Sequence, residues 1–286
     1  MKKNFCLISL IFILPSILTA QVGKIYDNLS ITSKILKTDR KFSIYLPADY
    51  ETSNRSYPVL YLLHGSGDDQ TGWIQFGEVN FIADKAIKEG KSTDMIIVMP
   101  DANTGRRGYF NSIKGDFRYE DFFFQELIPY VEKNYRVRAE KQFRAVAGLS
   151  MGGGGAIIYA MHHPEMFATA CPLSASFHTQ NTNHFKNSAD TIGLTTEQID
   201  TYNKQHNPIY LVDNMPDIQI NQVRWYFDVG DDDSLSEGNF ALHMAMRNKG
   251  INHEFRIRDG GHNWSYWREA LPEVLDFVSQ GFHRSK

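Results

Sequence analysis

The stretch that decides the fold is residues 144–163, which read RAVAGLSMGGGGAIIYAMHH. An apolar run leads into Gly148-Leu149-Ser150-Met151-Gly152, and a stretch of helical length follows. This is the pattern G-x-S-x-G on a predicted strand-to-helix turn. The two glycines remove Cβ atoms that would collide in so sharp a turn, and a helix N-terminus favours negative charge nearby. We therefore predict that Ser150 is a nucleophile. The alternative is a glycine-rich turn that serves only close packing.

Around this stretch the chain alternates short β-rich runs with helical stretches. The predicted strands cover residues 42–46, 59–63, 95–99, 144–148, 225–229 and 254–258. The predicted helices cover 119–135, 152–163, 235–249 and 264–280. This alternation predicts an α/β fold with a mostly parallel central sheet and helices on both faces. The last predicted strand alternates polar and apolar residues, so we expect it near an edge.

One segment, from about 177 to 221, departs from the alternation. It is polar and rich in Asn and Thr, with only short helical signals. We interpret it as an insertion over the top of the sheet, acting as a lid or a substrate-binding cap. The alternative is an ordinary long surface connection.

The first twenty residues have the pattern of an export signal. Two lysines precede an apolar run over 5–14, and Ala20 offers a small-residue cleavage site. The run is too short to span a bilayer comfortably. Position 21 is Gln rather than Cys, which gives no sign of a lipid anchor. We expect residues 1–20 to be removed and residues 21–286 to form a single domain. That domain would be exported to the periplasm or out of the cell, without a membrane anchor.

The composition is that of an ordinary globular chain. Of its 286 residues, 42% are hydrophobic and 22% are charged, which suffices for one large domain. The formal net charge of -3, without a Lys/Arg cluster, argues against nucleic acid and anionic lipid as partners. Cys6 lies in the predicted signal, so Cys171 has no partner for an intrachain disulfide.

A nucleophilic serine needs a base, and His262 is the histidine in the expected place. It lies in the tight loop 259–264 between the last predicted strand and the last predicted helix. That position suits the chain order Ser, acid, His. The orienting carboxylate is expected in Gly230-Asp231-Asp232-Asp233, after the penultimate strand. Adjacent acids repel one another when buried, so one should point inward. We choose Asp233, with Asp232 as the alternative.

An acyl-transfer site also needs backbone donors for the developing oxyanion. One should be the amide of Met151, the residue after the nucleophile. The other should come from the loop His64-Gly65-Ser66-Gly67-Asp68, where the glycines let the backbone turn an N–H inward. We choose the amide of Ser66. His64 is expected to be structural, because the chemistry does not require its imidazole.

With these pieces placed, the chain resembles the esterase D-like α/β-hydrolases. More narrowly it resembles carbohydrate esterase family 1, which includes feruloyl esterases and acetylxylan esterases. The resemblance covers residue 42 to the C-terminus, and its most specific motif is Gly261-His262-Asn263-Trp264-Ser265-Tyr266-Trp267. The other matching motifs are Tyr61-Leu62-Leu63-His64-Gly65 with Trp73, the Ser150 stretch, and Gly230-Asp231-Asp232-Asp233-Ser234-Leu235.

The resemblance implies an α/β-hydrolase fold and supports Asp233, because the family's acid lies three residues after the glycine of the penultimate strand. It also implies an oxyanion amide in the loop after Gly65. The implied reaction is ester hydrolysis through an acyl-enzyme on Ser150, with His262 and Asp233 and without a metal or an organic cofactor.

Aromatic residues near the predicted site suit a planar acyl group or a sugar ring. We expect Trp73, Tyr109 and Trp264 to bind substrate, with core packing as the alternative for each. Together with the signal, the resemblance predicts an exported serine esterase. Its substrate would be an acylated polysaccharide or oligosaccharide, first of all the feruloyl esters of plant xylan. The alternatives are an acetylxylan esterase or another acyl esterase or acyltransferase of this fold, and, from another class, a non-catalytic carbohydrate-binding protein.

Overall fold

A computed structural model describes residues 22–105, 108–177 and 191–283, so the predicted signal at 1–20 lies outside the described residues. The described strands are β1 (Lys24–Ser33), β2 (Thr38–Leu46), β3 (Val59–Leu63), β4 (Ile96–Pro100), β5 (Arg144–Leu149), β6 (Thr169–Leu173), β7 (Arg224–Gly230) and β8 (His253–Arg258). They form one eight-stranded sheet in the order β1-β2-β4-β3-β5-β6-β7-β8. β2 is antiparallel to β1 and β4, and all other neighbours are parallel.

The mostly parallel sheet predicted from the sequence is confirmed, and β8 is an edge strand as expected. Two strands escaped the sequence pattern. β1 is largely exposed, so it lacks a continuous apolar run. β6 reads TACPL, and its Pro172 weakens the strand signal although all five residues are buried.

Helices cover both faces of the sheet. They are α1 (Gly72–Gln75), α2 (Val79–Lys88), α3 (Tyr119–Phe122), α4 (Ile128–Asn134), α5 (Met151–His162), α6 (Thr196–Gln205), α7 (Pro208–Asn214), α8 (Asp217–Ile220), α9 (Ser236–Asn248) and α10 (Trp264–His283). A π-helical turn, Phe123–Leu127, joins α3 to α4. No described helix is both long enough and apolar enough to cross a bilayer.

The central strand β3 shows why both faces must be covered. Its five residues are all buried, and successive side chains point to opposite faces. Val59, Tyr61 and Leu63 enter a core shared with α3, α4, α5 and α9. Leu60 and Leu62 enter a second core shared with α2 and α10. The loops after β3, β5, β7 and β8 therefore meet at the carboxyl edge of one rigid sheet, where ligands bind in such folds.

The described part of the 177–221 segment, residues 191–221, forms α6, α7 and α8. Thr195 and Gln198 begin α6 with a reciprocal capping box, and Asn207 caps α7 just before a proline. α7 packs against α5 and α9, and the Tyr202 hydroxyl donates to the carbonyl of Asn111 at 2.7 Å. These helices therefore pack at the side of the helical layer that contains α5 and α9. The rest of the predicted insertion, residues 178–190, lies outside the described residues.

Candidate active site

Ser150 lies on a strained turn between β5 and α5. Its φ is 53° and its ψ is -117°, a conformation that side-chain-bearing residues rarely adopt. A Cβ on Gly148 would lie 2.5 Å from the Gly152 carbonyl oxygen, and one on Gly152 would lie 2.5 Å from the Leu63 carbonyl oxygen. The predicted reason for both glycines is therefore confirmed. The Ser150 amide donates to the Leu173 carbonyl at 3.0 Å, which ties the turn to β6.

The structure brings Ser150, His262 and Asp233 together in line. His262 Nε2 lies 3.0 Å from Ser150 Oγ. On the other side of the ring, His262 Nδ1 lies 2.9 Å and 3.1 Å from the two carboxylate oxygens of Asp233. A carboxylate beside Nδ1 makes that nitrogen the donor, which leaves Nε2 as the acceptor facing the serine hydroxyl. Asp232, the alternative acid, is exposed instead.

Asp233 is held as a buried anion. Its side chain is fully shielded from solvent. Burial alone would raise the pKa of Asp233, but hydrogen bonds from His262, the Leu235 amide and the Ser174 hydroxyl lower that pKa below its ordinary value. The Leu235 amide donates to Asp233 Oδ1 at 2.8 Å. The acid is thus ionised and fixed in direction at neutral pH.

The loop after β3 lies next to the serine. A Cβ built on Gly65 would come 3.6 Å from Ser150 Cβ, so the exposed Ser66 that follows is at the edge of the site. Met151 is the first residue of α5, where a backbone N–H has no carbonyl available from an earlier turn. Both amides chosen from the sequence therefore belong to segments that adjoin Ser150.

His64 braces this loop, as expected of a structural residue. Its Nδ1 donates to the Gly65 carbonyl at 2.7 Å, and its Nε2 accepts from the Ala102 amide at 2.9 Å. Burial lowers the pKa of His64, so the ring is neutral and can fill both roles.

Two of the three predicted substrate-binding aromatic residues are in the core instead. Trp73 is 1% exposed and Tyr109 is 0% exposed, so neither offers a surface to a ligand. The Trp73 indole donates to the Leu63 carbonyl at 3.0 Å, and the Tyr109 hydroxyl donates to the His64 carbonyl at 3.1 Å. The sequence-based expectation for these two is therefore corrected: they hold the backbone at the end of β3.

Trp264 differs from the other two because it is half-buried beside His262. Its ring meets Trp73 edge-on at 5.2 Å and Trp267 edge-on at 5.3 Å. Its ring also contacts that of Phe76, whose centroid is 5.8 Å away and which is 48% exposed. Sequence reasoning missed Phe76, since a lone aromatic residue in a short helical turn carries no distinctive signal.

Three exposed carboxylates lie close enough to share a cation. Among the residues that the structure describes, Asp231, Asp232 and Asp259 are the group with this spacing. Exposed acidic groups of this kind are common without an ion. None of these three carboxylates takes part in the hydrogen bonds that join Ser150, His262 and Asp233.

Comparisons with known proteins identify relatives of this chain. The family described as "Putative esterase" matches residues 33–278. The Esterase Rv1288 of Mycobacterium tuberculosis is 32% identical over 244 residues, which is 77% of this chain and 52% of the relative. An endo-1,4-beta-xylanase/feruloyl esterase of Xylanibacter ruminicola is 40% identical over 132 residues, covering 44% of this chain and 18% of the relative. The chain thus spans about half or less of the length of these relatives.

A solved structure also matches this chain in three dimensions. A ferulic acid esterase superposes with a TM-score of 0.81 at 35% identity. The match covers 91% of this chain and 99% of that chain. The α/β-hydrolase architecture implied by the sequence resemblance is therefore confirmed.

Proposed function

This chain belongs to the Esterase family, and from that premise we propose that it is a serine esterase that hydrolyses feruloyl esters. The observation that carries the proposal is the unbroken line of hydrogen-bonding atoms from Ser150 Oγ through His262 to Asp233. The match to a ferulic acid esterase over nearly the whole chain supports the acyl group. A protein that only bound carbohydrate would not require a strained serine backed by an imidazole and a buried carboxylate.

In the proposed mechanism, Ser150 attacks the ester carbonyl while His262 Nε2 takes its proton. Asp233 keeps the imidazole in the required tautomer and stabilises the imidazolium that forms. The amides of Ser66 and Met151 receive the oxyanion. Once the alcohol has left with the proton from His262, water attacks the acyl-enzyme with His262 again acting as base, and the carboxylic acid is released.

We propose that the aromatic acyl group, or the sugar that bears it, lies against Trp264 and Phe76. These two rings contact each other, both are partly exposed, and Trp264 lies two residues after His262. A planar hydroxycinnamoyl group or a pyranose face gains contact area on such a surface at little cost in side-chain entropy. Trp264→Ala should therefore raise KM for methyl ferulate more than KM for p-nitrophenyl acetate, which has no large acyl group.

The substrate class is tested by comparing three esters with the purified chain: methyl ferulate, p-nitrophenyl acetate and feruloylated arabinoxylan. We expect the ferulate esters to be hydrolysed with the higher kcat/KM. Hydrolysis of the acetate alone, together with acetate release from acetylated xylan, would replace this proposal with an acetyl esterase. A product carrying the acyl group on an added acceptor sugar would indicate acyl transfer instead.

We further propose that the chain is exported after removal of residues 1–20, and that residues 21–286 form one esterase domain. Support comes from the two lysines, the apolar run and the small residue at 20. Expression of the full chain in a bacterial host, followed by fractionation and N-terminal sequencing, tests this. A protein outside the cytoplasm that begins at Gln21 is expected. A cytoplasmic product with an intact Met1 would contradict it.

A further inference from the structure

A carboxylate is buried in β7, and no role in the proposed reaction has been given to it. Asp228 is 0% exposed, although charged side chains are seldom buried without partners. Tyr226 precedes it by two residues in the same strand, so both side chains point to one face of the sheet, which α10 covers. Asp228 therefore lies beneath the helix that follows the His262 loop, which we define as residues 259–263.

Three donors from three elements meet this carboxylate. The Tyr226 hydroxyl in β7 donates to Asp228 Oδ2 at 2.7 Å. Arg258, the last residue of β8, also donates to Oδ2 through its Nη2. The hydroxyl of Tyr266, in the first turn of α10, donates to Oδ1. Burial and the neighbouring Asp228 carboxylate raise the pKa of both tyrosines, so each hydroxyl keeps the proton that it donates.

The buried carboxylate holds both ends of the His262 loop. The loop begins directly after Arg258 and ends where α10 begins, and each carboxylate oxygen accepts from one side of it. The ring of Tyr266 also lies against the loop itself, because a Cβ built on Gly260 would come 2.7 Å from Tyr266 Cδ2. At the end of the loop, Asn263 Oδ1 accepts from the Tyr266 amide at 3.1 Å. Tyr266 therefore connects the loop backbone to the buried charge.

We propose that Asp228 is a positioning residue for the catalytic base: it ties Arg258 to Tyr266 and thereby fixes the His262 loop. The inference rests on the proposed serine-esterase function, which assigns His262 as the base. A buried ion pair seldom stabilises a fold more than apolar side chains of similar volume would. Its hydrogen bonds are directional, however, so they determine where the two ends of the loop lie. Proton transfer needs His262 Nε2 to stay near its 3.0 Å from Ser150 Oγ, and a loop anchored at both ends keeps it there.

Tyr266→Phe removes one hydroxyl and keeps the ring against which Gly260 packs. The loop would then be attached to Asp228 only through Arg258. We expect kcat for p-nitrophenyl acetate to fall about 10-fold while KM stays within about twofold of wild type. A misplacement of 1 Å would cost about 100-fold, and the remaining attachment should keep the loss below that. A raised KM with unchanged kcat would contradict the inference, because Tyr266 would then act on substrate binding.

The matched control is Tyr45→Phe. Tyr45 is also 0% exposed, and its hydroxyl donates to the carboxylate of Asp84 at 2.7 Å. It lies in β2 opposite Ile97, near the amino ends of the parallel strands and away from the site. This variant should lower Tm on a scale similar to that of Tyr266→Phe without a change in kcat. Equal losses of kcat in the two variants would overturn the proposed role.

Two further variants act on the same carboxylate. Tyr226→Phe removes the donor in β7 and leaves both ends of the loop attached, so it should lower kcat by less than Tyr266→Phe does. Asp228→Asn leaves one acceptor oxygen and no charge, so it should lower kcat further. In that background, Tyr266→Phe should cost less than it does in wild type. If Asp228→Asn does not fold, the comparison among the tyrosine variants decides, and equal losses in Tyr226→Phe and Tyr266→Phe would overturn the inference.

The bond between His262 Nδ1 and Asp233 gives a readout that needs no turnover. A ring N–H bonded to a carboxylate has a proton NMR signal far downfield, and His262→Ala identifies that signal by its loss. In Tyr266→Phe the proton should exchange faster with water, whereas Tyr45→Phe should leave it unchanged. Faster exchange supports the inference even if no ester is hydrolysed, which would refute the proposed function alone. A signal unchanged in position and in exchange rate in Tyr266→Phe overturns the inference.

Discussion

Replacing Gly230 with alanine should separate the acid from the base without unfolding the protein. Gly230 ends β7, just before the acidic turn, and a Cβ there would lie 1.9 Å from the carbonyl oxygen of Gly260. The obstructing atom is backbone, so no side chain can swing aside. Ordinary contact begins near 3.4 Å, so the two loops would have to part by about 1.5 Å. The Asp233–His262 bond, now 2.9 Å, would then exceed hydrogen-bonding distance.

A misplacement on this scale typically lowers the rate by about 100-fold, and overpacking costs about 1–3 kcal/mol of unfolding free energy. The assay is kcat/KM for p-nitrophenyl acetate, beside thermal unfolding of the same samples. Gly261→Ala is the matched control, since its Cβ would meet its nearest neighbour, the Asp232 carbonyl oxygen, at an ordinary 3.5 Å. A folded Gly230→Ala that keeps wild-type kcat/KM would refute the reasoning.

Three more expectations concern the acid, a buried ion pair and a core indole. Asp233→Asn should lower kcat by about 10³- to 10⁴-fold in a steady-state assay, because an amide cannot hold the imidazole in the required tautomer. Asp232→Asn changes an exposed side chain and should have little effect in the same assay. Burial would raise the pKa of Glu120, but hydrogen bonds from two histidines lower that pKa from 4.5 to about 2. Burial would lower the pKa of His162, but the neighbouring Glu120 carboxylate raises the pKa of His162 above 6.5. The carboxylate therefore contributes stability that is lost as pH falls toward 2, and the imidazolium contributes stability that is lost as pH rises through its raised pKa. The difference in Tm between wild type and Glu120→Gln should be largest between pH 4.5 and 6.5 and should shrink on either side; a difference independent of pH would contradict the pairing. Trp73→Phe should cost about 1–3 kcal/mol in denaturant unfolding, since a buried carbonyl loses its donor, with KM for methyl ferulate unchanged; a raised KM would restore a substrate contact for Trp73.

The arrangement of Ser150, His262 and Asp233 was predictable because each of them follows the end of a strand. G-x-S-x-G follows a buried strand, and the loops that carry Asp233 and His262 follow the last two strands of the sheet. In a parallel sheet such loops meet at one edge, so sequence order alone places the three side chains near one another. The glycines added a steric constraint that the sequence displays directly.

The aromatic residues were harder to predict because motif membership does not reveal which way a ring points. Trp73 and Tyr109 lie near the site along the chain, yet their polar atoms satisfy backbone carbonyls from within the core.

The proposed ester hydrolysis depends on Ser150 acting as the nucleophile. The most direct measurement is the initial rate of methyl ferulate hydrolysis by wild type and by Ser150→Ala, once circular dichroism has shown that both are folded. Wild type should release ferulate, and Ser150→Ala should be slower by about 10⁴-fold or more, as expected when an attacking oxygen is removed. A Ser150→Ala variant that keeps its rate within about ten-fold of wild type would contradict the account, because another group would then have to attack the ester.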